Sequence, residues 1–329
     1  MGAEPELIQA ERPCPITGTY EAEIVATKAR EGHPLRNVMS KESGLIYVDL
    51  LPNEDLAGYY RDDYRKTYKN VVCPKLKHVY RAGEVALARM KHAGKHLVSS
   101  GRSLDIGAGG GEWVYLMDQL GNESFGVEPN QGYGTFSRDS YDVEVFLGMY
   151  QDSVFERESF DMLTLFQVLE HLSEPVRDLK QMTEYLKPGG RFLIEVPDIL
   201  YPGMRFDHKW HDGHLYGFDA TTLEAVAAKA GLKKISLEVL PGNLFGVFEK
   251  VEEDVPVSDS ISENYEVART MLERVHQSYW MLPSTYLKVP RRLKKRAREK
   301  QVSSFLKEPR KILNHLFEKD EQFLSMRAQ

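Results

Sequence analysis

"SLDIGAGGGEWVYLM", Ser103 to Met117, is the stretch on which the reading of the fold turns. A short apolar run ends at Ile106, glycines stand at 107, 109 and 111, and helical character begins near Glu112. Glycines at alternate positions let the main chain take positive φ and approach a ligand closely, because no Cβ intervenes. The dinucleotide fingerprint G-x-G-x-x-G requires glycine three positions beyond Gly109, where Glu112 stands. A phosphate-cradling P-loop requires Lys-Ser or Lys-Thr after the glycines, and neither pair follows. Asp105 closes the strand instead, and a carboxylate there repels pyrophosphate but suits an ammonium or sulfonium cation.

Outward from this turn, short apolar strands alternate with helical segments between Arg102 and Lys250, the pattern of an α/β layer structure with a mainly parallel sheet. The strand candidates are "SLDIG", "SFGVEP", "VEVFLG", "FDMLTLFQV", "RFLIEVPD", "KKISLEVL" and "LFGVFEK". Only Pro241, Gly242 and Asn243 separate the last two, too few residues for a crossover helix, so those strands are predicted to run antiparallel. Apolar residues at helical spacing from about Leu76 to Leu97 predict an entry helix. The chain divides on this reading into a small N-terminal module (1–75), an α/β core (76–250) and a helical C-terminal extension (251–329).

Two further blocks follow the glycine turn in order. In "FGVEP", Glu128 ends the next strand 21 residues after Gly107, where a carboxylate can accept both hydroxyls of a ribose. "FDMLTLFQVLEHLSEP" is then followed by "LKPGGRFLIEVPD". With these three blocks over about 95 residues, the sequence resembles the class I S-adenosylmethionine-dependent methyltransferases, in particular their type 11/23 branch. The resemblance implies a Rossmann-like fold with a mainly parallel seven-stranded sheet and an antiparallel last strand, and S-adenosylmethionine as cofactor. It implies Asp105 near the cofactor ammonium, Gly107, Ala108, Gly109 and Gly111 along its methionine and ribose side, and Glu128 and Pro129 at the ribose. Gln167 and Glu170, which follow the fourth strand, complete the implied set. Members of the family often hold the adenine amine with an acidic residue after the third strand, where this chain reads "GMYQD". Met149 and Tyr150 stand there, Met149 suited to the adenine face and Asp152 or a backbone carbonyl to the amine. On a purely structural reading, Glu170 would cap the helix starting near Ser173 and His171 would be a satisfied polar residue.

Methyl transfer from a sulfonium is an in-line displacement, so the protein's tasks are alignment, worth about 7–11 kcal/mol, and proton removal, worth about 10²–10⁴ in rate. The loop after the fifth strand, "PDILYPGMRFDHKWHDGHLYGFD", carries three of the chain's ten histidines within seven residues. Open α/β sheets place ligands at such strand ends. A similar H-x-H-L-Y-x-F segment in the family implies His214 as general base, with His211 and Asp212 as partner or substrate ligands and His171 nearby. The competing explanation is that His214, Leu215 and Tyr216 seal the loop against the next helix, whose predicted N-cap is Asp219. His208, His211, Asp212 and His214 could together form a nitrogen and oxygen metal set. No metal is expected, since metal-dependent methyltransferases usually spread carboxylate ligands over separate strand ends.

The whole chain, 329 residues with 42% hydrophobic and 28% charged residues and a net charge of -6, reads as an ordinary globular protein and disfavours global nucleic-acid binding. No apolar run reaches the roughly 18–20 residues of a membrane span, and the N-terminus lacks a signal peptide's apolar centre, so a cytoplasmic location is expected. Two cysteines, Cys14 and Cys73, cannot build a disulfide framework. The front of the chain resembles the small zinc ribbon of several sugar methyltransferases, with "CPITGT" and "SKESGLIYVDLLP" in its two turns. Cys14 is retained, but Thr17, Ser40 or Lys41, and Ser43 take the other ligand places, and one thiol cannot hold tetrahedral zinc. A hairpin without metal is expected there, with Tyr59, Tyr60, Tyr64 and Tyr68 beyond it as a lid or as packing residues.

In the extension, residues 288–300 hold eight basic residues and one acidic, and Leu293, Ala297, Val302, Phe305 and Leu306 share a helical stripe. Such a helix is either a solvated face or suits an anionic membrane surface or polyanionic glycan, and Ile312, Leu313, Leu316 and Phe317 offer a contact side for a homodimer. The expected function is methylation of a sugar hydroxyl or carbon, on a nucleotide sugar or a surface polysaccharide. The alternatives are a lipid or quinone methyltransferase at the membrane surface and a non-catalytic cofactor-binding scaffold.

Overall fold

The computed structural model describes residues 6–50, 73–98 and 100–328. The four tyrosines from Tyr59 to Tyr68 lie outside the described residues. Contacts divide the chain into two compact units. The first comprises Met1–Glu54, Phe166–Thr183 and Ile194–Tyr286, the second Asp55–Leu165, Glu184–Leu193 and Leu287–Gln329.

All seven predicted core strands form, as β5 (Arg102–Ile106), β6 (Glu123–Glu128), β7 (Glu144–Leu147), β8 (Phe160–Phe166), β9 (Leu186–Pro197), β11 (Leu232–Leu240) and β12 (Asn243–Lys250). They make one sheet in the order β11-β12-β9-β8-β5-β6-β7. β5 pairs parallel with both β6 and β8, β6 pairs parallel with β7, and β11 pairs antiparallel with β12. The largest boundary difference is at β9, which begins at Leu186, so the "LKPGG" segment is part of the strand. Buried strand residues such as Leu104, Ile106, Leu163, Leu165 and Phe192 make these strands read as nearly continuous apolar runs.

In the second unit, α1 (Leu76–Ala93), α2 (Glu112–Gln119) and α3 (Gln131–Tyr141) accompany the sheet. Asn130 caps α3, its side chain accepting from the Tyr133 N–H at 3.1 Å. The first unit adds α4 (Pro175–Thr183), α5 (Ala220–Lys229), α6 (Asn264–Ser278) and the single turn α7 (Pro283–Tyr286). Asp219 is the N-cap of α5, as the sequence predicts, and accepts from the Thr222 N–H at 2.8 Å.

The N-terminal residues form more than a hairpin. β1 (Leu7–Gln9), β2 (Glu21–Lys28), β3 (Pro34–Ser40) and β4 (Ile46–Val48) build an antiparallel sheet, and its fifth strand is β10 (Tyr216–Gly217), from the histidine-rich loop. Tyr216 pairs with Tyr47 and Gly217 with Ile46. Met39 and Ile46 share a core with Trp210, Tyr265, Ala268 and Leu272. Cys14 and Ser43 are buried and meet at 3.2 Å, Sγ to Oγ.

The extension forms α8 (Lys288–Phe305), α9 (Pro309–Phe317) and α10 (Glu321–Arg327). The face of α9 expected to meet a second copy is instead consumed within the second unit. Ile312, Leu313 and Phe317 are buried, and Leu313 and Leu316 press on α1 so closely that a Cβ at Gly83 would lie 2.7 and 2.8 Å from them. Along α8, Val302 is buried whereas Leu293 and Phe305 are exposed. Among the described residues, no helix is long and apolar enough to cross a membrane.

Candidate functional site

In the second unit, β5 opens into the glycine turn with Gly107, Gly109 and Gly111 at φ of +83°, +58° and +83°. Position 111 has a second requirement, since a Cβ would stand 2.4 Å from Ser137 Cβ. The N–H groups of Gly107 and Ala108 both donate to Val127 O at 2.8 Å, which folds the turn over the end of β6. There Glu128 Oε2 accepts from the Gly109 N–H at 2.7 Å and Oε1 from the Asn130 N–H at 2.9 Å. These bonds fix the plane of the carboxylate, as a bidentate acceptor for a diol requires.

Asp105 is buried, and its Oδ1 accepts from Thr164 Oγ1 at 2.6 Å, across the β5–β8 register that pairs the two residues. Burial pushes the Asp105 carboxyl up to about 6, with the Thr164 hydroxyl pulling the other way and the Glu128 charge adding to the rise. Two carboxylates at adjacent strand ends favour a bound cation and disfavour a phosphate. At the end of β7, Met149 is half-buried. Tyr150 is buried, and its carbonyl accepts from Ser153 Oγ at 2.7 Å and from Tyr185 OH at 3.3 Å.

In the first unit, Gln167 follows β8 at φ +58°, a left-handed conformation that costs a non-glycine residue about 1 kcal/mol or more. It is held by its N–H to Glu195 O at 2.7 Å and by its amide to Glu195 Oε1 at 3.0 Å. Such strain collects at functional sites. A single turn, Leu169–His171, then carries Glu170 and His171 into the interior. Glu170 does not cap α4, which starts at Pro175.

His171, His211 and His214 form one cluster. His214 stacks on His211 with ring centroids 4.6 Å apart and meets His171 edge-on at 4.9 Å. The Gly213 peptide lies between two of these rings. Its N–H donates to His211 Nδ1 at 2.9 Å, and its carbonyl bonds His171 Nδ1. These partners assign tautomers, because an N–H only donates and a carbonyl only accepts. His211 therefore carries its proton on Nε2, and His171 carries its own on Nδ1 and presents a lone pair at Nε2. Burial pushes His171 down to about 4, His214 well below the usual imidazole range, and His211 down as well. All three rings are neutral at pH 7.

The remaining predicted residues are elsewhere. Asp212 pairs with His33 Nε2 at 2.8 Å, and His208 is exposed in the turn Phe206–His208. The metal set His208, His211, Asp212 and His214 is therefore not assembled. The orienting partner of the imidazoles is the Gly213 peptide, not the Asp212 carboxylate.

Sequence reading also missed Arg12. Its guanidinium donates to Ser173 O at 2.8 Å, Tyr216 OH at 2.7 Å and Val48 O at 3.1 Å, and Tyr216 OH donates to Ser173 O at 2.9 Å. The Leu215 N–H donates to Glu170 O at 2.7 Å, and Leu215 O accepts from the Val48 N–H at 2.9 Å. The segment after His214 is thus tied to the N-terminal sheet on one side and to the Glu170 turn on the other. Arg12 stands 161 residues from Ser173 and 204 from Tyr216, so no local pattern announces it.

Residues 78–237 match the model of a family described as a methyltransferase domain. No curated protein matches the chain. Among solved structures, a methyltransferase from Aquifex aeolicus dependent on S-adenosylmethionine is 12% identical and covers 54% of this chain and all (100%) of its own, with a TM-score of 0.43. One from Mesorhizobium loti is 16% identical over 52% of this chain and 99% of its own, with a TM-score of 0.43. A Haloferax volcanii protein solved in complex with a methyltransferase activator is 17% identical over 53% of this chain and 95% of its own, at a TM-score of 0.44.

Proposed function

We propose that the chain is an S-adenosylmethionine-dependent methyltransferase, on the match of residues 78–237 to a methyltransferase-domain family, and that it methylates a hydroxyl or carbon of a sugar with His214 as general base. The cofactor supplies a methyl group on a sulfonium, ready for in-line displacement. The chain's own residues hold and orient. Asp105 with Gly107, Ala108, Gly109 and Gly111 takes the amino-acid end, Glu128 with Pro129 the ribose, and Met149 the adenine face, with Gln167 and Glu170 beyond the end of β8.

His214 removes the acceptor proton. The observation that carries this role is the Gly213 peptide gripped between His171 and His211, which aligns the next residue and commits His211 Nδ1 to a backbone N–H. That bond makes His211 a holding residue and leaves the base to His214. The sugar reading draws support from the ribbon-like front, with its Cys14–Ser43 contact, and from β10, which ties the histidine segment to the N-terminal sheet. The acceptor is a nucleotide-linked sugar or a surface polysaccharide. On this reading residues 1–75 serve the acceptor, 76–250 the cofactor, and 251–329 an anionic surface.

The test is incorporation of labelled methyl groups from S-adenosylmethionine into nucleotide sugars and polysaccharide fractions, with products identified by mass spectrometry. His214→Gln is expected to lower turnover by about 10²–10⁴ while cofactor affinity measured by calorimetry stays unchanged. Label found only in lipid or quinone fractions would refute the sugar assignment. Cofactor binding with no transfer to any acceptor would make the chain a scaffold.

A further inference from the structure

Glu170, His171 and His214 each offer one ligand atom, and the three atoms lie within 4.8 Å of one another. We infer that they form a binding site for a zinc-class divalent ion, and that the ion silences the enzyme by occupying the lone pair His214 needs as a base. The second half rests on the reading of His214 given above, and the first stands without it.

The donor set is two imidazole nitrogens and one carboxylate oxygen, the combination that holds zinc in many open, three-ligand sites. His171 is already in the ligating tautomer. Its Nδ1–H is committed to Gly213 O, so Nε2, 3.8 Å from Glu170 Oε1, faces the carboxylate with a lone pair. An imidazole whose far nitrogen donates to a backbone carbonyl is the usual outer-shell support of a metal ligand. A tetrahedral ion with bonds of about 2.0–2.1 Å holds its ligand atoms about 3.3 Å apart, so each of the three needs to move inward by less than about 1 Å. Glu170 and His171 are both buried, which keeps competing water away from the set.

The other candidate ligands of the loop are excluded on the same geometry. His211 spends Nδ1 on the Gly213 N–H, His208 is exposed, and Asp212 pairs with His33. The ligand set differs from the one the sequence suggested because it draws on two chain segments 43 residues apart, His171 and His214.

The test uses the full chain, stripped with a chelator and titrated with Co²⁺ and Zn²⁺. The expected result is one ion per chain by elemental analysis and ligand-field absorption of bound Co²⁺ in the visible. His171→Ala and Glu170→Gln should each weaken binding at least about ten-fold, with His211→Gln retaining the ion and cooperative thermal unfolding followed by circular dichroism reporting that each variant is folded. One equivalent of zinc should cut methyl transfer at least ten-fold, and chelation should restore it. No stoichiometric ion, or identical binding in His171→Ala, overturns the site. Zinc that raises turnover overturns the inhibition. Stoichiometric binding lost in His171→Ala, in a protein that methylates no sugar, upholds the site and retires the base reading alone.

Discussion

Asp105 and Thr164 illustrate how much one buried hydroxyl can decide. A carboxyl held near 6 is ionised at neutral pH but begins to protonate in mild acid, and only its charged form attracts a cofactor ammonium. Affinity for S-adenosylmethionine is therefore expected to be flat above pH 7 and to fall below about pH 6, by up to about ten-fold per pH unit. Thr164 donates to the ionised form, so Thr164→Val should move the midpoint of that fall to higher pH, and Asp105→Asn should abolish the pH dependence while weakening binding throughout. Calorimetry from pH 5 to 8 checks all three, and a midpoint left unmoved in Thr164→Val would exclude the hydroxyl from this role. At this scale, the glycines, Asp105 and Glu128 were legible because the backbone chemistry of the turn demands those residue types within a few positions. Thr164 was not, because its partner lies 59 residues away and a threonine in a buried strand carries no mark of its bond.

Among the elements, the seven core strands and the β11–β12 hairpin follow from local periodicity and a three-residue gap. β10 could not be read that way. Two residues, Tyr216 and Gly217, have no periodicity, and their partners on β4 stand some 170 positions earlier in the chain. Arg12 secures this element by bonding Ser173 O, Tyr216 OH and Val48 O, so under the proposed function it acts on His214 through the strand and is a positioning residue. Arg12→Met strands these acceptors and should lower kcat at least about ten-fold with cofactor affinity unchanged, since misplacement by about 1 Å can cost 10² in rate. Arg12→Lys, which keeps the charge and donors on a single nitrogen, should recover part of the loss. Single-turnover kinetics beside calorimetry makes the check, and loss of cofactor binding in parallel would mean that Arg12 supports folding only.

For the molecule as a whole, the charge run in the extension takes a definite direction once α8 is seen. Its one acidic residue, Glu299, is buried and paired with Arg81, so the acid within residues 288–300 is turned inward while Lys294, Lys295 and Arg296 are exposed. Exposed Leu293 and Phe305 accompany them. A surface of this kind suits anionic lipid headgroups, where each basic residue contributes about 1 kcal/mol near the membrane. Replacing Lys294, Lys295 and Arg296 by Glu should lower cosedimentation with anionic vesicles by at least about a hundred-fold and leave neutral vesicles without effect. High salt should reproduce the loss in the parent chain, because screening shortens the reach of exposed charges. The basic run was plain in the sequence, whereas the apolar side of α9 was visible but ambiguous, because a helical stripe looks the same whether it faces α1 or a second copy. The close approach of Leu313 and Leu316 to Gly83 decides the matter.

The pairing of Tyr216 and Gly217 with Tyr47 and Ile46 limits how such enzymes can diversify. The front sheet is not an interchangeable cassette that could be traded between relatives to bring in a new acceptor. Any exchange must carry residues 46–48 and 214–217 together, with Arg12, or the recombinant would inherit a histidine whose scaffold came from a different lineage.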